Sequence, residues 1–249
     1  SDGNEIGRIL GSGELKDFIE KVEKAKDPEK NKKNILKQYK ETNKSEYAYN
    51  YLERLNDLYM QDEIINFFND NIESIDKYEK CSAKMWIYIS NAISLEKQNL
   101  LNDILANKYR YDLYIGKGSV DKALLSAYKN GLFSYLSGKT TLSEETVNRV
   151  CDGMTYLISD NYYENLLISA SRAYLKRDFE ALKKLFKAGA MYSCTPREAG
   201  NIIKIYTSFK EISDPDKAQF LKDYRKKKKK MMKDTDNQMN EYKSAESTK

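Results

Sequence analysis

The chain has 249 residues, 33% of them charged and 40% hydrophobic, and it carries a formal net charge of +5. It is long enough to bury a core without metal ions or disulfides, and no segment approaches the roughly 18–20 consecutive apolar residues of a membrane-spanning helix. The sequence contains no histidine, which excludes Ser-His-Asp and Cys-His catalysis and removes the commonest metal ligand.

The first 26 residues combine the signals of a turn, a strand and a helix. Asp2-Gly3 is typical of a tight turn, residues 5–10 read as a short strand, and Gly11 ends it. A helix is predicted over about residues 13–25, because apolar side chains recur at the spacing of one helical face. These side chains are Leu15, Phe18, Ile19 and Val22. We therefore expect residues 1–26 to form a β segment and a helix that are separate from the rest.

In sequence, this region resembles the last hairpin and final helix of a thioredoxin-like domain. In that family a D-G-x-E turn leads into the edge strand, R-I-x-G closes it, and a helix with F-x-x-x-V packs back on the sheet. The matching positions are Asp2, Gly3, Glu5, Arg8, Ile9, Gly11, Phe18 and Val22. No position matches the C-x-x-C pair or the cis-proline of an active thioredoxin, so the resemblance implies no catalytic residue. An ordinary surface turn followed by a helix is the alternative interpretation.

The remaining chain resembles the helical C-terminal extensions of thioredoxin-like envelope proteins from Bacteroides-like bacteria. This resemblance implies a periplasmic or cell-envelope location and a redox domain upstream that performs any thiol chemistry. The chain itself would then be non-catalytic. It would bind a protein or peptide client or pack on the redox domain.

Residues 27–213 show a helical period almost throughout, which predicts one domain of short antiparallel helix pairs. Helix starts are marked by residues that favour the N-cap, and in three cases a proline follows at the first helical position. These starts are Asp27-Pro28, Thr195-Pro196, Asp214-Pro215, Ser45 and Ser143. Gly138 predicts a helix end in the left-handed conformation, whereas Gly116 and Gly118 predict a break between helices.

One part of this domain, residues 162–191, resembles a tetratricopeptide-type helix–turn–helix unit. Small residues on its first helix would let the second helix approach closely, and larger side chains would fill the groove between them. These positions are Ala170, Ala173, Phe179, Leu182 and Phe186. Because no strict period of about 34 residues appears elsewhere, we predict a degenerate helical-repeat layout whose concave face holds the client.

The only tryptophan, Trp86, and the three cysteines are interpreted as core residues. Cys81, Cys151 and Cys194 form no C-x-x-C pair, which excludes a zinc ribbon or a local redox pair. Cys194 precedes a predicted helix start, where a thiolate is favoured, so a redox role is the alternative there. No catalytic residue, metal or cofactor is predicted for this chain.

The excess positive charge lies in a basic C-terminal region, residues 214–249, predicted as a long helix with a frayed end. Residues 225–249 carry nine basic and four acidic side chains, which accounts for the whole net charge of +5. The candidate contacts with an anionic surface are Arg225, Lys226, Lys227, Lys228, Lys229 and Lys230. Consecutive lysines on a helix point in all directions, and no aromatic rings alternate with them as in a nucleic-acid platform.

A solvated terminal helix is therefore the favoured interpretation of the basic run. The alternative is a free-standing helical adaptor whose lysine-rich tail binds an anionic membrane, as a peripheral contact, or nucleic acid. Of these two partners, the membrane is favoured over nucleic acid.

Overall fold

The chain folds as an all-α protein in a computed structural model. The structure describes residues 31–157, 161–189 and 195–246, with side chains up to Lys230, and five helical residues before them. Those five are Leu15, Lys16, Phe18, Ile19 and Val22. Within this described part the regular structure is helical and includes no strand, which confirms the predicted all-α class. The predicted β segment, residues 5–10, lies outside the described residues.

The described helices form two compact units, one up to Ala127 and the other from Tyr128 onwards. The first unit contains α1 (Lys32–Thr42), α2 (Ser45–Asp57), α3 (Gln61–Asn71), α4 (Ala83–Ala92), α5 (Asn99–Ala106), α6 (Lys108–Tyr111), a π turn (Asp112–Gly116) and the first part of α7 (Lys117–Leu136). The second contains the rest of α7, α8 (Glu144–Leu157), α9 (Tyr162–Leu175), α10 (Phe179–Gly189), α11 (Pro196–Ser208) and α12 (Asp214–Glu246). The predicted domain of residues 27–213 spans parts of both units, and its boundaries stay predictions.

The core of the first unit is formed by the apolar faces of its helices. The ring of Phe67 on α3 lies 5.2 Å from that of Tyr39 and 5.4 Å from that of Tyr51, measured between centroids. Met85 and Ile89 on α4 are fully buried. Trp86 is only half-buried, which corrects its interpretation as a core residue. The reason is helical geometry, because Trp86 is rotated about 100° from the core-facing position of Met85.

A series of aromatic rings runs through the core of the second unit. The rings of Tyr174 and Phe209 lie 5.2 Å apart, and Phe186 lies 6.0 Å from Phe209 and 6.3 Å from Tyr206. Tyr206 then stacks on Phe220 of α12 at a centroid distance of 4.1 Å. These rings fix the beginning of α12 to the core of the second unit.

Helices α9 and α10 form a helix–turn–helix pair joined by residues 176–178. Ala170, Leu182 and Phe186 are fully buried in this unit, while Ala173 and Phe179 are half-buried. The pair has the close packing that its small residues predicted. The wider repeat layout stays a prediction.

Several helix ends confirm their predicted caps. At the start of α11 the backbone N–H of Thr195 donates to Glu198 Oε2 at 2.8 Å, and the N–H of Glu198 donates to Thr195 Oγ1 at 3.3 Å, which is a complete capping box. Ser143 Oγ accepts from the N–H of Thr146 at 3.2 Å. Gly138 follows α7 with φ +69°, the left-handed conformation that glycine adopts without strain.

Two predicted caps are wrong, and a third lies outside the described residues. Ser45 is the first residue of α2, and the capping position is Lys44, whose side chain makes no capping hydrogen bond. Ser213 rather than Asp214 caps α12, because Ser213 Oγ accepts from the N–H of Asp216 at 3.3 Å. Asp214 is then the first helical residue, where its negative charge is favoured by the helix dipole. The pair Asp27-Pro28 is not among the described residues.

The break predicted at Gly116 and Gly118 is confirmed at Gly116, whereas Gly118 lies within α7. The π turn separates α6 from α7, and Gly116 ends that turn with φ +96°, a conformation that glycine adopts without strain. Lys108 Nζ lies 2.7 Å from Asp112 Oδ2 and 2.8 Å from Asp121 Oδ1. These two ion pairs fasten α6, the π turn and the start of α7 together across the break.

Candidate interaction surfaces

The first unit carries a group of exposed apolar side chains beside its π turn. We call this group the tyrosine patch; its members are Tyr78, Tyr109, Leu113 and Tyr114, each between 56% and 82% exposed. The rings of Tyr78 and Tyr114 meet edge to face with centroids 6.4 Å apart. Tyr109 precedes Leu113 by four residues and Tyr114 by five, a spacing that places side chains on one side of an α or π turn. The patch is therefore formed by neighbouring side chains and not by scattered ones.

The backbone beneath the tyrosine patch is held by the Lys108 ion pairs. Partial burial by itself would lower the pKa of Lys108, but hydrogen bonds to Asp112 and Asp121 outweigh burial and raise that pKa. The ammonium group therefore stays charged at neutral pH, and the π turn keeps its two ion pairs. π turns are frequent at functional sites. The π turn held by these ion pairs is therefore a second feature, besides the exposed side chains, that indicates an interaction surface.

A buried polar network lies in the same unit and orders α6, the helix that carries Tyr109 of the patch. Asp103 Oδ1 accepts from Lys80 Nζ and, at 3.1 Å, from Asn107 Nδ2, while Asp103 Oδ2 accepts from the Tyr111 hydroxyl at 2.9 Å. The Lys80 and Asp103 side chains are only 9% and 10% exposed. Burial, followed by the negative charge of Asp103, raises the pKa of Tyr111, so this hydroxyl remains a proton donor. Every member of the network has a partner, which is the arrangement of a structural network.

The cysteines that the structure describes, Cys81 and Cys151, are buried free thiols. Burial raises the pKa of Cys81 and raises that of Cys151 to about 11. These environments fit the predicted role as small apolar side chains and disfavour thiolate chemistry. Cys194 lies outside the described residues.

Slow thiol labelling is the expected consequence. In a Cys194→Ser variant at pH 8, a pKa of about 11 leaves roughly one Cys151 side chain in a thousand as thiolate, so an aromatic disulfide reagent should modify Cys81 and Cys151 only over hours. The same variant in denaturant serves as the control and should react within minutes. Equally fast labelling of the folded variant would contradict the burial of the two thiols.

The predicted anionic-surface residues lie on α12 in the second unit. Arg225, Lys226, Lys228, Lys229 and Lys230 are exposed, and Lys227 is half-buried. Upstream, Lys183 Nζ on α10 lies 3.3 Å from Asp216 Oδ2, and Phe220 is buried against Tyr206. The basic run thus extends from a helix whose first turns are fixed to the second unit.

Two other classes of site find no support in the part of the chain that the structure describes. No cluster of three or more His, Cys, Asp or Glu side chains is placed there to hold a metal ion. None of the described helices has the length and apolar character to cross a membrane. Comparison with known proteins returns no matching family model, no matching curated protein and no matching solved structure.

Sequence reasoning missed the tyrosine patch and the buried network. Tyr109, Tyr111 and Tyr114 lie within six residues, yet Tyr111 is fully buried and its two neighbours are exposed. The one available signal was their spacing, since Tyr109 and Leu113 share a face that Tyr111 does not. Lys80 and Asp103 are separated by 23 residues, and nothing in the sequence pairs them.

Proposed function

We propose that this chain is a non-catalytic helical protein-interaction module and that the tyrosine patch binds its protein or peptide client. The observation that carries this proposal is the contiguous exposure of Tyr78, Tyr109, Leu113 and Tyr114 on and beside a π turn that is held by two ion pairs. Tyrosine is enriched among the residues that dominate binding energy in interfaces. Contiguous exposed apolar groups also mark interaction sites more often than single exposed side chains do.

The chemistry of the patch favours a client that presents apolar or proline side chains. Exposed aromatic rings on a protein surface line the grooves that accept such side chains, as in the recognition of proline-rich peptides. Lys77 Nζ lies 5.1 Å from the centroid of the Tyr78 ring, so one edge of the patch is cationic. An acidic residue flanking the apolar anchor would complement that edge.

The proposal extends to the protein in which such a module would work. We infer a larger thioredoxin-like protein of the periplasm or cell envelope, in which the helix predicted over residues 13–25 packs on a sheet. The residues Leu15, Phe18 and Ile19 support this inference, because they are helical and at least half exposed. An apolar helix face of this kind is stabilised when another element covers it. The reading frame upstream of Ser1 in the gene tests this part, and a frame without a W-C-x-x-C segment would contradict it.

Peptide selection tests the client site. A displayed peptide library is selected on the chain, and the affinity of the recovered peptides is compared between the unchanged protein and a Leu113→Ser/Tyr114→Ser variant. We expect the double variant to weaken binding at least about tenfold, since anchor residues each contribute more than about 1 kcal/mol. Tyr156, an 81% exposed tyrosine of the second unit, gives the matched control Tyr156→Ser, which should bind unchanged. Peptides that bind all three proteins equally would contradict the proposal.

A further inference from the structure

Helix α12 has two chemically different faces. Lys222, Arg225, Lys226 and Lys229 follow the spacing i, i+3, i+4, i+7, which places their side chains on one side of an α-helix. All four are exposed. The sequence-based view that the lysines point in all directions overlooked Lys222, which completes this row.

The opposite side of α12 faces the second unit. Phe220, Tyr224 and Lys227 share that side at the spacing i, i+4, i+7; Phe220 is buried, and Tyr224 and Lys227 are half-buried. Phe220 stacks on Tyr206 at 4.1 Å. Because this side is fixed, the row of four cations is turned outward and does not rotate freely about the helix axis.

The charge of this segment is concentrated and almost uncompensated. Residues 222–230 contain seven basic side chains and one acidic side chain, Asp223, which accepts a hydrogen bond from Gln219 Nε2 at 2.9 Å. The four outward cations extend over about 10 Å along the helix axis. The spacing of this row along one straight helix suits a flat anionic surface that offers many headgroups at once.

We propose that the outward face of α12, formed by Lys222, Arg225, Lys226 and Lys229, docks on the surface of an anionic lipid bilayer. Clusters of four to eight basic residues on a helix bind anionic lipids, and each cation near the surface strengthens binding about fivefold. Six of the seven basic residues between positions 222 and 230 are lysines. The compact ammonium group of lysine suits the diffuse charge of lipid headgroups, whereas the planar guanidinium group of arginine suits bidentate contacts with nucleic acid.

Aromatic side chains also favour the lipid surface over nucleic acid. Single-stranded nucleic acid is bound by exposed rings on which bases stack. Among the described side chains of α12, the two aromatic ones, Phe220 and Tyr224, lie on the side opposite the cations. The docking face therefore offers charge without stacking surfaces.

Vesicle co-sedimentation of the full chain tests this proposal. The probes are vesicles of phosphatidylcholine alone and vesicles that also contain phosphatidylglycerol. Binding is expected only to the anionic vesicles and should fall as salt is raised. In the variant K222Q/R225Q/K226Q/K229Q, binding should weaken at least about a hundredfold, given a contribution of about fivefold from each of four cations.

A matched variant separates this face from net charge. The substitutions K97Q/K122Q/K176Q/K184Q remove four other exposed lysines and lower the net charge equally, and this variant should retain most of the binding. Two results would overturn the proposal: an equal loss of vesicle binding in both variants, or a chain that does not bind anionic vesicles but binds an oligonucleotide at the same salt.

The inference does not rest on the client site, and the Leu113→Ser/Tyr114→Ser variant should bind anionic vesicles normally. Circular dichroism checks that every variant is folded.

Discussion

Replacing Asp103 with alanine is expected to destabilise the first unit by about 3–5 kcal/mol, because the substitution leaves the Lys80 ammonium buried without its counter-charge. Asp103 also accepts hydrogen bonds from Asn107 and Tyr111, and both donors would lose their partner. Urea unfolding followed by the fluorescence of Trp86 measures the effect. Trp86 is a suitable probe because it is the only tryptophan, and its ring lies 5.6 Å from that of Tyr111.

A second variant keeps this prediction specific to the charge pair. Replacing both partners, as Lys80→Met with Asp103→Leu, removes the buried charges together and should cost clearly less than Asp103→Ala alone. Asp103→Leu alone, which does not reduce side-chain volume, should also cost clearly more than the double variant, because only the single variants leave the Lys80 charge unpaired. A double variant at least as unstable as the single one, or a single variant within about 1 kcal/mol of the unchanged protein, would contradict the network.

Replacing Phe186 with alanine is expected to cost about 3–5 kcal/mol in the second unit. Phe186 is fully buried, and its ring contacts those of Tyr206 and Phe209. The cavity would open in the middle of the aromatic series that fixes α12 through Phe220. Thermal unfolding followed by far-ultraviolet circular dichroism measures the loss, since Trp86 belongs to the other unit.

Phe179 provides the control for that experiment on the same helix. Its side chain is half-buried and its ring lies 6.3 Å from that of Tyr174. Phe179→Ala removes the same atoms but less buried surface, so its cost should be less than half that of Phe186→Ala. Equal costs for the two variants would show that the aromatic series is not the centre of this core.

The sequence was a good guide to the helices because their signals are local. The periodic apolar residues, the Thr195 capping box and Gly138 each act within about one helical turn. What these signals did not predict depends on other residues. Ser213 competes with its neighbour Asp214 for the same cap, and Lys108 holds the π turn by pairing with Asp121, 13 residues away.

The candidate surfaces were predicted less completely, for the same reason. The sequence shows the run of basic residues from Arg225 to Lys230. Which of these side chains face outward, however, depends on which residues of α12 pack on the core. The tyrosine patch depends on Tyr78 meeting Tyr114, 36 positions later in the chain. Such a contact arises only when the loop before α4 and the π turn are folded together.

Fluorine NMR of the chain labelled with 3-fluorotyrosine tests the central claim, client binding at the tyrosine patch, most directly. A peptide selected on the chain is titrated into the labelled protein, and resonances are assigned by single Tyr→Phe substitutions. We expect the resonances of Tyr78, Tyr109 and Tyr114 to shift first and furthest, while that of Tyr156 stays in place. Shifts at Tyr156 or at other tyrosines, with those of the patch unchanged, would contradict the assignment of this surface as the client site.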